Sequence, residues 1–212
     1  GYELFHGQLR ILPSEAQFVK WIFQAYLSGL NAQSIAEQMN QAYKVFTRIC
    51  LNNWHYIDRK VLGLNESINF FTGHSGSGKS TVIDAMQIVL YANTDGRGFF
   101  NKAAADDSDR SLIEYLRGMI NIGENNQAEY KRNKNFSTTI VLEMEQTTTK
   151  EKECIGVVFD VETATNEINR LFFWHKGELI PGDYRTESRA MTISEVRSYL
   201  QQNFPKDEMF YT

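Results

Sequence analysis

The spacing of hydrophobic and polar positions changes character near residue 45. Before it the pattern is helical. Ser14-Glu15-Ala16-Gln17 has the form of a capping box, with Ser14 at the N-cap and Gln17 at the third helical position. Behind it Phe18, Ile22, Ala25 and Tyr26 recur at helical spacing with Trp21 beside them, and Gly29 suits the residue just past the helix end. Asn31 can cap a second helix carrying Ile35, Met39 and Ala42. Two short helices joined at a glycine predict a helix-turn-helix start.

From Val45 the period shortens. Phe46 to Leu51 alternates and is rich in strand formers; Trp54-His55-Tyr56-Ile57 continues or bulges it; Asp58-Arg59 has the look of a turn and Lys60-Val61-Leu62 of another short strand. After a connector at 63–66, Ser67-Ile68-Asn69-Phe70-Phe71-Thr72 predicts a short buried strand. Thr81 to Tyr91 predicts a helix with Val82, Ile83, Met86, Val89 and Leu90 on its apolar side. Residues 121–135 are polar and loop-like. Strands are then expected at Ser137–Glu145, Cys154–Val161 and Arg170–His175, forming an antiparallel meander. The last element is a helix over Thr192–Asn203, with Thr192 as N-cap, Glu195 at the capping-box position and Ile193, Val196, Tyr199 and Leu200 apolar.

Between the predicted strand and helix lies Gly73 to Thr81, GHSGSGKST, which fits the phosphate-loop pattern G-x-x-x-x-G-K-[ST]. Glycines let the backbone turn and bring bare N–H groups near phosphate oxygens. The expected nucleotide-binding residues are Gly73, Ser75, Gly76, Ser77, Gly78, Lys79, Ser80 and Thr81. Lys79 would reach the outer phosphates as a mobile charge, and the Ser80 hydroxyl would ligate Mg²⁺. ATP and Mg²⁺ are therefore the expected ligands.

Composition narrows the picture further. The 212 residues, 42% hydrophobic, suffice for one medium domain or two small ones. A formal net charge of −4 argues against gripping nucleic acid by bulk positive charge. No apolar run approaches a membrane span, so no membrane partner is expected. Cys50 and Cys154 fit no metal or redox spacing and are expected as free thiols in a reducing, cytoplasmic setting; the four histidines are too scattered for a zinc site.

Two stretches resemble known families. Gly1-Tyr2, Gly7-Gln8-Leu9-Arg10-Ile11, Pro13, Glu15-Ala16, Val19, Ile22-Phe23, Tyr26-Leu27-Ser28-Gly29 and Ile35-Ala36 to Met39-Asn40 resemble part of the recombinase domain of large serine recombinases, without that family's catalytic serine domain. Beyond Val45, NNWHYIDRKVL, INFFTGHSGSGKSTVIDAMQIVLY, GRGFFNKAA and SLIEYLRG resemble the N-terminal head segment of SMC-like ATPases. The likeness is to the MukB/MksB branch, especially the JetC type of Wadjet plasmid-defence systems. His74-Ser75 departs from that pattern, which more often has a polar or basic residue and then Asn.

The resemblance implies an α/β fold: an ABC-type P-loop half-head, with a mixed sheet and an antiparallel β-lobe, over residues 45–212, and a small helical piece over 1–44. It implies an ATP-dependent dimer of heads, kleisin and accessory subunits, DNA in the full assembly, and a nucleoid-associated location. Arg97 and Lys102 would lie near nucleotide or partner head, and Lys131, Arg132 and Lys134 would be phosphate or DNA contacts. Gln146 is a weak candidate for the Gln that senses Mg²⁺ and water.

Hydrolysis needs groups that orient water and hold Mg²⁺. The one Walker-B-like string is Ile155-Gly156-Val157-Val158-Phe159-Asp160-Val161-Glu162, and its polar flanks favour a plain hairpin strand. No LSGGQ-like signature is found. The expectation is thus the first half of a composite site, hydrolysing ATP only when completed by a C-terminal half-head and a second head. Two alternatives stay open: a self-contained P-loop NTPase or kinase using Asp160, and a DNA-binding adaptor acting through the N-terminal helices.

Overall fold

Alternating strands build the core of the larger of two units. The structure is a computed structural model and describes residues 2–5, 8–11, 13–41, 43–92, 112–122 and 128–212. Its contacts divide the chain into two units, Gly1–Lys44 with Gln146–Thr149, and Val45–Glu145 with Lys150–Thr212.

In the first unit, β1 (Tyr2–Phe5) and β2 (Gln8–Ile11) form an antiparallel hairpin ahead of α1 (Pro13–Leu27) and α2 (Ala32–Gln41). The piece is therefore not purely helical, because its first residues pair locally. The turn between the helices follows the expected chemistry: Gly29 takes a φ of 96°, and Asn31 Oδ1 accepts from Ser34 N at 2.8 Å. Ala25 and Ile35 are buried, whereas Val19, Phe23, Tyr26 and Leu27 are exposed along one face of α1. Tyr26 thus lies outside the buried stripe expected of it.

The second unit holds a six-stranded sheet of order β10-β9-β8-β7-β3-β4. Its strands are β3 (Lys44–Trp54), β4 (Ile57–Gly63), β7 (Phe136–Gln146), β8 (Lys152–Glu162), β9 (Glu167–Lys176) and β10 (Met209–Tyr211). The β3–β4, β7–β8, β8–β9 and β9–β10 pairings are antiparallel. A small hairpin, β5 (Met119–Ile122) with β6 (Ala128–Tyr130), falls in the stretch expected to be loop. Asp58 and Arg59 lie within β4; the turn comes earlier, at His55-Tyr56.

Period-two alternation sends side chains to opposite faces. One face carries Ile49, Leu51, Ile140, Leu142, Val157, Phe159 and Val161, covered by α3 (Lys79–Tyr91) and α4 (Leu112–Arg117). The other carries Cys50, Val141, Cys154, Val158, Leu171 and Phe173, covered by Leu179, Ile180, Tyr184 and α5 (Ile193–Asn203). The capping box at α5 forms as its sequence requires, with Thr192 accepting from Glu195 N and the Glu195 carboxylate accepting from Thr192 N.

The segment Ser67–Thr72 is not a strand. It runs as coil, with Phe70 84% and Ile68 63% exposed, and it joins none of the described sheets. A strand needs a neighbour to take its backbone hydrogen bonds, and the six-stranded sheet ends at β4 without reaching this segment. The mixed sheet expected from sequence is accordingly absent among the described residues; the sheet is mainly antiparallel. No helix among those residues is long and apolar enough to cross a membrane.

Candidate nucleotide-binding site

The phosphate loop leaves the coil at Thr72 and ends in α3. Gly78 is the N-cap, with φ 89° and ψ 10°, a left-handed conformation that costs a glycine little. The first N–H groups of any helix lack intrahelical acceptors, and Gly78 brings no side chain to cap them. Together with the helix dipole they form a donor set suited to an anion. Gly73 also sits at positive φ, 148°, which side chains rarely adopt, and a Cβ there would crowd the Ser77 side chain.

Lys79, the first residue of α3, folds back across the loop. Its ammonium donates to the carbonyls of Gly73 and His74, both at 2.9 Å, and to Ser77 Oγ at 3.3 Å. These are neutral acceptors. A phosphate oxygen carries charge and makes a stronger, shorter bond to an ammonium. The loop holds its lysine on its own carbonyl and hydroxyl acceptors, and the residues present fit a nucleotide's phosphate tail. Residues 72–77, including Ser75, Gly76 and Ser77, are exposed, and Gly78, Lys79 and Ser80 are half-buried. Ser80 is the hydroxyl that would hold Mg²⁺, which when bound spreads the charge of the phosphate oxygens.

Helix α3 sits on the sheet through Thr81, Val82, Asp84, Ala85, Ile88 and Val89. Ile83 and Leu90, expected on the apolar face, are exposed instead, so the helix has apolar residues on both sides. Asp84 is a structural acceptor: it is buried and takes the Tyr115 hydroxyl proton at 2.7 Å. The Trp54 indole N–H donates to the Thr81 carbonyl at 2.7 Å, and its ring packs on Tyr115 with centroids 5.3 Å apart. Trp54 was not among the residues expected at the site. Its signal was the indole itself, since a buried Trp needs an acceptor for its N–H.

Asp160 lies in a hairpin strand, the reading its polar flanks favoured, and the weaker Walker-B alternative runs against parity. Phe159 and Val161 face the core under α3; Asp160 points to the opposite face. There it accepts from Ser137 Oγ at 2.7 Å and from the backbone N–H of Ile193 at 3.1 Å, at the start of α5. Asp160 is thus a helix-anchoring group in a hairpin strand, and Glu162 beside the turn is exposed. Gln146 closes β7 and is grouped with the first unit rather than with the unit that holds the loop.

The basic run is largely consumed internally. Lys131 donates to Tyr56 O at 3.0 Å and to Asp58 at 2.8 Å. The buried Arg132 donates to the carbonyls of His55 at 2.6 Å and Leu116 at 3.0 Å, and pairs with Asp58 at 3.2 Å. Burial pulls its guanidinium below the usual range against the opposing pull of Asp58. The Lys131 hydrogen bond, with Arg132 behind it, holds the Asp58 carboxyl low. Arg132 is thus held inside the fold, whereas Lys131, in its surface ion pair with Asp58, and Lys134 are exposed. Arg97 and Lys102 lie outside the described residues.

Cys50 and Cys154 are free and buried, and burial pushes both thiols up to about 12, which leaves them protonated and inert.

Residues 46–107 match the family model described as the P-loop containing region of AAA domain. The match spans the two strands, the coil, the loop and α3, and covers less than a third of the chain. It supports a P-loop, ATPase-like region of the kind that generally binds nucleotide with Mg²⁺. A search of curated proteins found no match to the chain.

Proposed function

We propose that residues 45–212 bind ATP with Mg²⁺ as the N-terminal half-head of an SMC-like ATPase of the MukB/MksB/JetC type. The observation that carries this is the coil before the phosphate loop. In P-loop folds a strand feeds the loop. Here the corresponding segment is extended enough in composition but exposes Ile68 and Phe70, while Ile83, Leu90 and Tyr91 leave a second apolar face on α3. Apolar surface on both the feeding segment and the helix calls for a further sheet laid against them. A half-head completed by a C-terminal segment supplies one.

On this reading Lys79 and the loop amides hold the phosphates and Ser80 holds Mg²⁺. The carboxylate and the signature that act on the γ-phosphate come from elsewhere in the assembly, because Asp160 faces the wrong side of its sheet. ATP joins two heads, and hydrolysis releases them. DNA, kleisin and accessory subunits, a nucleoid-associated location and a role in plasmid defence or chromosome organisation follow from the resemblance and belong to this proposal.

Calorimetry with ATP·Mg tests it. The chain should bind, Lys79→Ala should weaken binding by about tenfold or more, and steady-state hydrolysis should stay near background. Brisk turnover by these 212 residues alone would sink the half-head.

A further inference from the structure

Trp54 ends β3 between two residues held in the left-handed region, Asn53 at φ 53° and His55 at φ 51°. Non-glycine residues persist there only when their surroundings fix them. Each is fixed. Asn53 donates from its side chain to Ser137 O at 2.9 Å, and its carbonyl accepts from Thr138 Oγ1 at 3.0 Å. The His55 carbonyl accepts from Arg132, and Gly118 passes so close that a Cβ would lie 2.8 Å from that oxygen.

The product of this strained turn is the placement of one indole. Trp54 is fully buried, and its N–H meets the Thr81 carbonyl in the first turn of α3, two residues after Lys79. Tyr115 packs on the Trp54 ring and binds Asp84 one turn along the same helix. Trp54 from the end of β3 and Tyr115 from α4 thus both bond to the helix that opens from the phosphate loop, while Arg132 holds the β3–β4 turn.

We propose that Trp54 is a positioning residue for the nucleotide site, setting the pitch of the first turn of α3 and hence the aim of the loop amides and Lys79. Arg132 and Gly118 act behind it by fixing the His55 carbonyl. The proposal rests on the reading that the loop binds ATP. Nucleotide in the loop pulls on the first-turn amides, and that pull reaches the Thr81 carbonyl and the indole proton it accepts.

The test uses the whole chain. Trp54→Phe keeps an aromatic ring against Tyr115 and removes the donor. Losing one such bond should weaken ATP·Mg about fivefold in calorimetry. Independently, in ¹⁵N-labelled wild-type protein the Trp54 indole N–H resonance, assigned with Trp21→Phe and Trp174→Phe, should shift on saturation with ATP·Mg and stay put with adenosine. That measurement decides the matter if Trp54→Phe does not fold. A stationary indole resonance, or folded Trp54→Phe with wild-type affinity, overturns the positioning role alone. Absence of ATP·Mg binding by the wild-type chain overturns the phosphate-loop reading and this proposal with it.

Discussion

Asp160 accepts a hydrogen bond from the backbone N–H of Ile193 at 3.1 Å, so a strand carboxylate terminates the N-terminal end of α5. A carboxylate at a helix start is favourable both as an acceptor for open N–H groups and against the helix dipole. Asp160→Ala should cost about 1–2 kcal/mol of stability. Affinity for ATP·Mg should remain within about twofold, since the residue faces away from α3. Chemical denaturation and calorimetry on the same sample check both parts.

Glu143 offers a buried source of acid dependence. Burial alone would raise its carboxyl, but donors from Arg48, Thr47 and the Leu179 N–H outweigh burial and bring it down to about 2. A carboxyl lower in the folded state stabilises above its unfolded value of 4.5, and that contribution is lost as pH falls through about 2. Unfolding free energy should therefore decline between these limits in wild type. In Glu143→Gln the decline should be shallower, on a protein about 2 kcal/mol less stable at pH 7. Denaturant titrations from pH 7 to pH 2 read the slope.

Two of the three cations expected as contacts at 131–134, Arg132 and Lys134, separate cleanly. Arg132→Ala removes a buried guanidinium that joins His55, Leu116 and Asp58, and should cost about 3 kcal/mol. Lys134→Ala, on an exposed position, should change stability by no more than about 0.5 kcal/mol. Equal effects in thermal unfolding would contradict the geometry.

These contrasts show which parts of the molecule its sequence made legible. The α5 capping box could be read because Thr192 and Glu195 interact within one turn, and the loop because Gly73, Gly78 and Lys79 are fixed by local backbone chemistry. The β3–β4 turn was misplaced by three residues. Its His55-Tyr56 pair holds no glycine, and its conformation is enforced by Arg132, more than seventy residues away. Asp160 needed strand parity relative to α3, which only the assembled sheet supplies. Arg132 reads as one member of a solvated charge run until its carbonyl partners are in view.

Phe70 and its neighbour Phe71 give the sharpest test of the coil ahead of the loop. Phe71 is half-buried and packs against the core under α3, whereas Phe70 is 84% exposed. If the segment is an exposed coil, Phe71→Ser should cost about 2 kcal/mol through lost apolar burial. Phe70→Ser should stay within about 0.5 kcal/mol of wild type. It should also reduce the fluorescence of a dye that binds exposed apolar surface, since Phe70 and Ile68 present that surface. Equal destabilisation by the two substitutions would mean that Phe70 is covered in solution, and the argument for a missing sheet against this segment would fall with it.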